Sequence, residues 1–326
     1  MSLILSSETL PARDTLVGEI VRLKRERGAI LLAHYYQDGD IQDLADVVGD
    51  SLELARAAQK ARARTIVFCG VRFMAEVAKI LNPEADVLLP DLDAGCSLEE
   101  SCQPADFARW RADHPDHISL TYINCSAAVK ALSDIIVTSS SAETIIRGLP
   151  ADRPIMFAPD RHLGAYLQRR TGRAMVLWPG SCIVHEQFSE KALVELMTEY
   201  PEAVVAAHPE CPDAILSHAD HVGSTSSILR FAQDSPARVF LIATEPGIIH
   251  QMERLAPGKT FVPVPGGSGE CGCNTCPFMR RNTLENLYRC LRDGRPLLEL
   301  DEPLRVAALK PLERMLELTA QPAHGD

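Results

Sequence analysis

The sequence predicts an α/β protein made of repeated units whose parallel sheets are covered on both faces. Three observations predict it. Continuous apolar runs alternate with helix-spaced runs from one end of the chain to the other. The same block then recurs twice: His34 to Tyr122 is 88 residues, while Tyr122 to His208 and Cys96 to Cys182 are each 86. No low-complexity linker interrupts the order.

The first block opens with GAILLAHYY (28–36), an apolar strand ending in polar aromatics. GDSLELARAAQKARA (49–63) follows as a helix, with Leu52, Ala55 and Ala58 on one face. RTIVFCG (64–70) is a second strand, VRFMAEVAKIL a second helix and ADVLLPD (85–91) a third strand. The second block repeats this plan through HISLTYINCSAAVKAL, VTSSSAETIIRG, RPIMFAPDRHLGAYL and AMVLWPGSC. The third does so through AVVAAHPEC, VGSTSSILRFA, ARVFLIATEPGIIHQM and TFVPVPGGSGEC. NTLENLYRCLRDGRPLLEL then reads as a helix with Leu284, Leu287 and Leu291 on one face, and VAALKPLERMLELTA as a last helix.

Bulk properties narrow the function. A chain of 326 residues suggests two or three domains. A net charge of −11 argues against an electrostatic nucleic-acid binder. MSLILSSETLPARD has a short apolar run without a basic region and does not read as a signal peptide. No apolar stretch approaches the roughly 18–20 residues of a membrane span. The expected location is the cytoplasm, where ten cysteines read as metal ligands, catalytic thiols or buried residues before they read as disulfides.

Each block places chemistry where ligands bind in parallel α/β units, beyond the carboxyl ends of the strands. After the first strand come His34 and Tyr36, then Tyr122 and Asn124, then His208 and Glu210. At the next helix start come Ser51, then Ser139 and Ser140, then Ser224 and Thr225. After the last strand comes a cysteine: Cys96, Cys182 and one of the group at 271–276. Helix N-termini hold anions, although any one of these hydroxyls also serves as an ordinary cap. His, Tyr and Glu transfer protons. Three thiolates from three units suggest a soft metal centre; a structural zinc site wants four ligands, and the alternative is plain buried thiols.

The ordered set AHYYQ, GDSLELAR, YINCSAAVKAL, TSSSA, WPGSCIVHEQF, AAHPEC, VGSTS and ECGCNTCPFMRRNTLENLY resembles the quinolinate synthase family over roughly residues 28–292. The resemblance implies three pseudo-symmetric αβα sandwich (Rossmann-like) domains around one central active site. The expected domains are 1–110, 111–190 and 191–279, with the C-terminal helices of 280–326 on the first. It implies condensation of iminoaspartate with dihydroxyacetone phosphate to quinolinate in NAD biosynthesis, releasing phosphate and two waters. L-aspartate oxidase or an aspartate dehydrogenase would be a functional partner, supplying iminoaspartate. It implies a 4Fe–4S cluster on Cys96, Cys182 and Cys276, with one open iron acting as a Lewis acid. Tyr36, His208 and Glu210 would transfer protons; His34, Ser51, Tyr122, Asn124, Ser139 and Thr225 would bind substrate. Repeat spacing alone favours Cys271 over Cys276, and Cys102 is a rival to Cys96. The spacing C-x-C-x-x-C departs from the C-x-x-C-x-x-C of some relatives. A 4Fe–4S hydratase of the aconitase type shares the open iron but needs neither phosphate site nor threefold body. A redox sensor working through the cysteines of 271–276 would pair with a DNA- or partner-binding surface, and this acidic chain shows no basic patch. A plain hydrolase or transferase lacks any G-x-S-x-G, P-loop or G-x-G-x-x-G signature.

Overall fold

The computed structural model describes residues 12–267 and 274–320. Its strands form three parallel four-stranded sheets. The first holds β1 (Ala29–His34), β2 (Val47–Gly49), β3 (Thr65–Cys69) and β4 (Asp86–Leu88) in the order β2-β1-β3-β4. The second holds β5 (Ile118–Tyr122), β6 (Ile135–Val137), β7 (Ile155–Ala158) and β8 (Met175–Leu177) in the order β6-β5-β7-β8. The third holds β9 (Val204–Ala207), β10 (His221–Val222), β11 (Val239–Ala243) and β12 (Thr260–Pro263) in the order β10-β9-β11-β12. With helices between the strands, the architecture is α/β in three αβα units.

Each sheet has one strand more than the sequence pattern predicts. β2, β6 and β10 are only two or three residues long, too short to show any periodicity. An aspartate sets each of them. Asp46, Asp134 and Asp220 accept the backbone N–H of Leu31, Ser119 and Val205 at 2.8 Å each. In return their own N–H groups donate to the carbonyls of those residues. These aspartates keep the 88- and 86-residue steps of the repeat.

Side chains alternate across each strand. Leu32 enters a core that also contains Leu120, Ala206 and Leu312, and so runs through all three units. Leu31 and Ala33 face the other side, packed with Leu16, Ile20, Leu287 and Leu291 of the helices Arg13–Glu26 and Leu284–Asp293. The last helix, Glu302–Ala320, lies across Ala127–Ala131 and β6 of the second unit and touches Arg72–Leu81 of the first. Among the described residues no helix is long and apolar enough to cross a membrane.

Candidate active site

The carboxyl ends of all three sheets open into one cavity, the place where parallel α/β units bind small ligands. His34, Tyr36, Ser51, Tyr122, Asn124, Ser139, His208, Glu210 and Thr225 all line it, together with Cys96, Cys182 and Cys276. Residues far apart in sequence meet there because equivalent strands end at equivalent places.

The two histidines are held alike. Tyr36 N donates to His34 Nδ1 at 3.1 Å, and Glu210 N to His208 Nδ1 at 3.4 Å. Each Nδ1 is therefore the acceptor, which leaves Nε2 to carry the proton of the neutral ring. Burial drives both rings toward that neutral form, lowering His34 to about 4 and His208 to about 3. Burial also raises the phenols of Tyr36 and Tyr122 well above their ordinary value, so both stand as hydroxyl donors. Burial alone would raise the Glu210 carboxyl. Neighbouring His208 and His185, with hydrogen bonds from His185 and Tyr122, outweigh it and hold the carboxyl below its usual range. Tyr122 Oη donates to Glu210 Oε1 at 2.5 Å.

Three helices start at the cavity: Ser51–Lys60, Ala142–Gly148 and Thr225–Asp234. The first and third are capped by Asp50 and Ser224, one residue before Ser51 and Thr225. Capping is thus not what Ser51 and Thr225 do. Thr225 Oγ1 meets Tyr36 Oη at 3.0 Å, whereas the Ser51 and Ser139 hydroxyls have no hydrogen-bond partner among the described residues. Asn124 Oδ1 is buried and also unpartnered, which is costly unless a ligand donates to it.

Asp50 does more than cap. Its carboxylate accepts Leu52 N and Glu53 N at 3.0 Å each, Ser140 Oγ at 2.9 Å and Ser226 Oγ at 2.6 Å. One carboxylate thereby joins the three helix starts.

The three cavity cysteines share a local geometry. Each opens a helical turn: Glu100 N donates to the Cys96 carbonyl at 2.9 Å, Glu186 N to Cys182 at 2.9 Å and Arg280 N to Cys276 at 3.2 Å. Backbone N–H groups also point at the sulfurs, from Leu98 and Glu99 to Cys96, from His185 to Cys182, and from Phe278 and Met279 to Cys276. Burial raises all three thiols, Cys276 to about 11, so a cation is needed to hold them as thiolates. Three thiols in one pocket, each receiving N–H donors, fit an iron–sulfur cluster. Cys182, His185 and Glu210 also offer ligand atoms within 4.8 Å of one another, a second set able to hold a metal ion.

Cys102 is not part of the cavity; it is packed with Phe107, Cys125, Val129 and Ala158. Cys271 and Cys273 lie outside the described residues. The eight described cysteines, Cys69, Cys125, Cys211 and Cys290 among them, are free thiols.

Sequence reasoning missed Asp50, His185, Thr244, Glu245 and Asp160. The last two do similar work in two units. Asp160 Oδ2 accepts Cys182 N at 3.2 Å, and Glu245 Oε1 accepts Cys276 N at 3.3 Å. Arg280 reaches Glu245 at 2.8 Å and also bonds Asp38. Asp160 and Glu245 are the second residues after β7 and β11, and the first unit has Val71 there. That positional match was the one signal available in the sequence.

The family model described as quinolinate synthetase A protein matches residues 18–317. The chain is 57% identical to the quinolinate synthase of Microcystis aeruginosa over 94% of its own length and 96% of that protein's. It is 58% identical to that of Thermosynechococcus vestitus over 93% and 95%. Against that of a Synechocystis species it is 57% identical over 96% and 97%.

Proposed function

The chain belongs to the quinolinate synthetase A family and is an enzyme of NAD biosynthesis, and from that premise we propose the finer reading of its chemistry. It condenses iminoaspartate with dihydroxyacetone phosphate to quinolinate, with Cys96, Cys182 and Cys276 holding a 4Fe–4S cluster. The observation that supports this most is the meeting of three alike cysteine turns with three helix starts in one cavity. When bound, such a cluster supplies an iron without a protein ligand as a Lewis acid for a substrate oxygen.

The protein's own groups do the rest. The substrates carry a phosphate and two carboxylates, which suit the N–H groups of the helix starts and the hydroxyls of Ser51, Ser139 and Thr225. His34 and His208 present Nε2–H toward substrate carbonyl or carboxylate oxygens. Asn124 Oδ1 takes an N–H or O–H of the substrate, which removes its missing partner. Tyr122 orients Glu210. Tyr36, His208 and Glu210 move protons in isomerisation, imine formation and loss of water. Iminoaspartate is unstable in water, so an oxidase or dehydrogenase acting on L-aspartate supplies it.

The test is to purify the protein without oxygen, measure iron, sulfide and zinc, and assay quinolinate at once. The expected result is about four irons and four sulfides per chain, a visible absorption that fades in air, and quinolinate formation. One zinc without sulfide would overturn the cluster, and Cys182, His185 and Glu210 would then be the place to look for it.

A further inference from the structure

The turn that carries Asn124 is anchored differently from its counterparts. In the first and third units a histidine holds the turn after the strand: His34 Nδ1 accepts Tyr36 N, and His208 Nδ1 accepts Glu210 N. The second unit has Tyr122 at that position, and its hydroxyl is engaged with Glu210. Asn124 instead stands in the middle of a three-residue turn, with Cys125 N donating to the Ile123 carbonyl at 2.8 Å. No non-glycine residue among those described has a positive φ, so this is an inverse γ-turn, a form common at strand ends.

Lys130 supplies the missing anchor. It is 0% exposed, and its amine donates to the Cys125 carbonyl. Nζ also lies 5.3 Å from the centroid of the Phe73 ring, and Phe73 lines the cavity. Lys130 comes five residues after Cys125, as Gln42 comes five after Gln37, and the two pairs are 88 residues apart. Gln42 is also buried and does the same thing: its Nε2 donates to the Gln37 carbonyl at 2.8 Å. In the third unit Leu216 stands 86 residues after Lys130, so the fold does not require a polar side chain at this place. Burying an amine where leucine would pack is costly unless its hydrogen bond is used.

We propose that Lys130 is a positioning residue: by holding the Cys125 carbonyl it fixes the turn that aims Asn124 into the cavity. The inference rests on the reading of the reaction given above, in which Asn124 Oδ1 meets the substrate. The backbone on both sides of Asn124 is held. Ile123 N donates to the Val137 carbonyl at 2.8 Å, Lys130 to the Cys125 carbonyl, and Ala127 N to Glu76 Oε2 of the first unit at 2.7 Å. Asn124 Oδ1 itself has no partner among the described residues, so its aim comes from that backbone. An amide that must meet a substrate atom at hydrogen-bond distance tolerates little drift. Without the Lys130 bond, the peptide after Cys125 is free to turn and its buried carbonyl lacks a donor.

The test compares Lys130→Met, Lys130→Gln and Asn124→Ala in protein prepared without oxygen. Methionine keeps the apolar stem and removes the donor, whereas glutamine copies Gln42. The Met variant should lose about 100-fold in kcat/KM, the scale of a misplacement of about 1 Å, with its iron content unchanged. The Gln variant should stay within about fivefold of wild type, because a neutral donor serves the same carbonyl in the first unit. In the Asn124→Ala background the Met change should cost less than about threefold more, since residues that act as one unit are not additive. Wild-type protein that makes no quinolinate would remove the reaction reading and this inference together. With an active wild type, a Met change that costs as much in the Asn124→Ala background as alone would show that Lys130 acts elsewhere, and would overturn the inference by itself. A Met variant near full kcat/KM, or a Gln variant as poor as Met, would do the same. Should the Met protein not fold, the Gln variant decides: near-wild-type kcat/KM supports the inference, and a loss as large as that of Asn124→Ala overturns it.

Discussion

Glu210 accepts hydrogen bonds from a tyrosine of the second unit and a histidine of the loop before the third. Replacing it with Gln keeps the shape but removes the charge and the capacity to take a proton. Glu210→Gln should keep its iron and lose turnover by about 10²- to 10⁴-fold; full turnover would take Glu210 out of the proton-transfer set. The two buried histidines give a second expectation, in stability. Unfolded imidazole titrates near 6.5, while burial lowers His34 to about 4 and His208 to about 3. Below pH 6.5 the unfolded chain therefore takes up protons that the folded chain refuses. Stability should fall as pH drops from 6.5 toward 4, by up to about 1.4 kcal/mol per pH unit for each ring. Urea midpoints at pH 7 and pH 5 should show this, and the drop should be smaller in His208→Gln; an equal drop in the variant would mean other groups carry it. His34, Tyr36, His208 and Glu210 were legible because each stands directly after an apolar strand. His185 and Thr244 were not, because what distinguishes them is a partner brought from elsewhere in the chain.

Helical turns opened by cysteine show where pattern ends and geometry begins. Spacing alone pointed to Cys271, which lies outside the described residues; the i to i+4 bond that marks Cys96 and Cys182 is found at Cys276. Loops after strands tolerate insertion, so a residue count past the last strand need not keep the step of the repeat. Cys96→Ser, Cys182→Ser and Cys276→Ser should each lose or cripple iron binding in protein prepared without oxygen. Cys102→Ser should not, because that thiol sits in a separate core; iron lost there and kept in Cys96→Ser would reverse the choice. The helix Ser51–Lys60 carries a related expectation. Asp50 closes a capping box with Glu53 and also bonds Ser140 and Ser226. Removing the cap costs about 1 kcal/mol, and losing two charge-assisted bonds, the one from Ser226 buried and the one from Ser140 partly so, adds up to about 1.5 to 3 kcal/mol each. Asp50→Ala should thus lower the urea midpoint by far more than an ordinary cap deletion; a loss of only about 1 kcal/mol would mean that the links to the other units contribute nothing.

Threefold repetition was legible because the landmarks kept their spacing, but repetition does not say whether the units stand alone. The packing answers that. Leu32, Leu120, Ala206 and Leu312 belong to one continuous core, so no unit has a separate hydrophobic interior on its inner side. The last helix adds to this core through Ala308, Pro311, Leu312, Met315 and Leu316, all buried. It lies against the second unit and touches the first, so it ties neighbours rather than decorating one of them. Its apolar spacing showed that it is a helix, but not which unit it covers, since an amphipathic face names no partner. Burial of those side chains is worth about 5 to 10 kcal/mol in total, which is comparable with the whole net stability of a typical domain. A chain ending at Asp301 should therefore not hold the three-unit fold. Heating the intact chain should give one cooperative transition, while the shortened chain should elute as expanded or aggregated material without that transition. A shortened chain that melts within a few degrees of the intact one would show that the three units support each other without the strap.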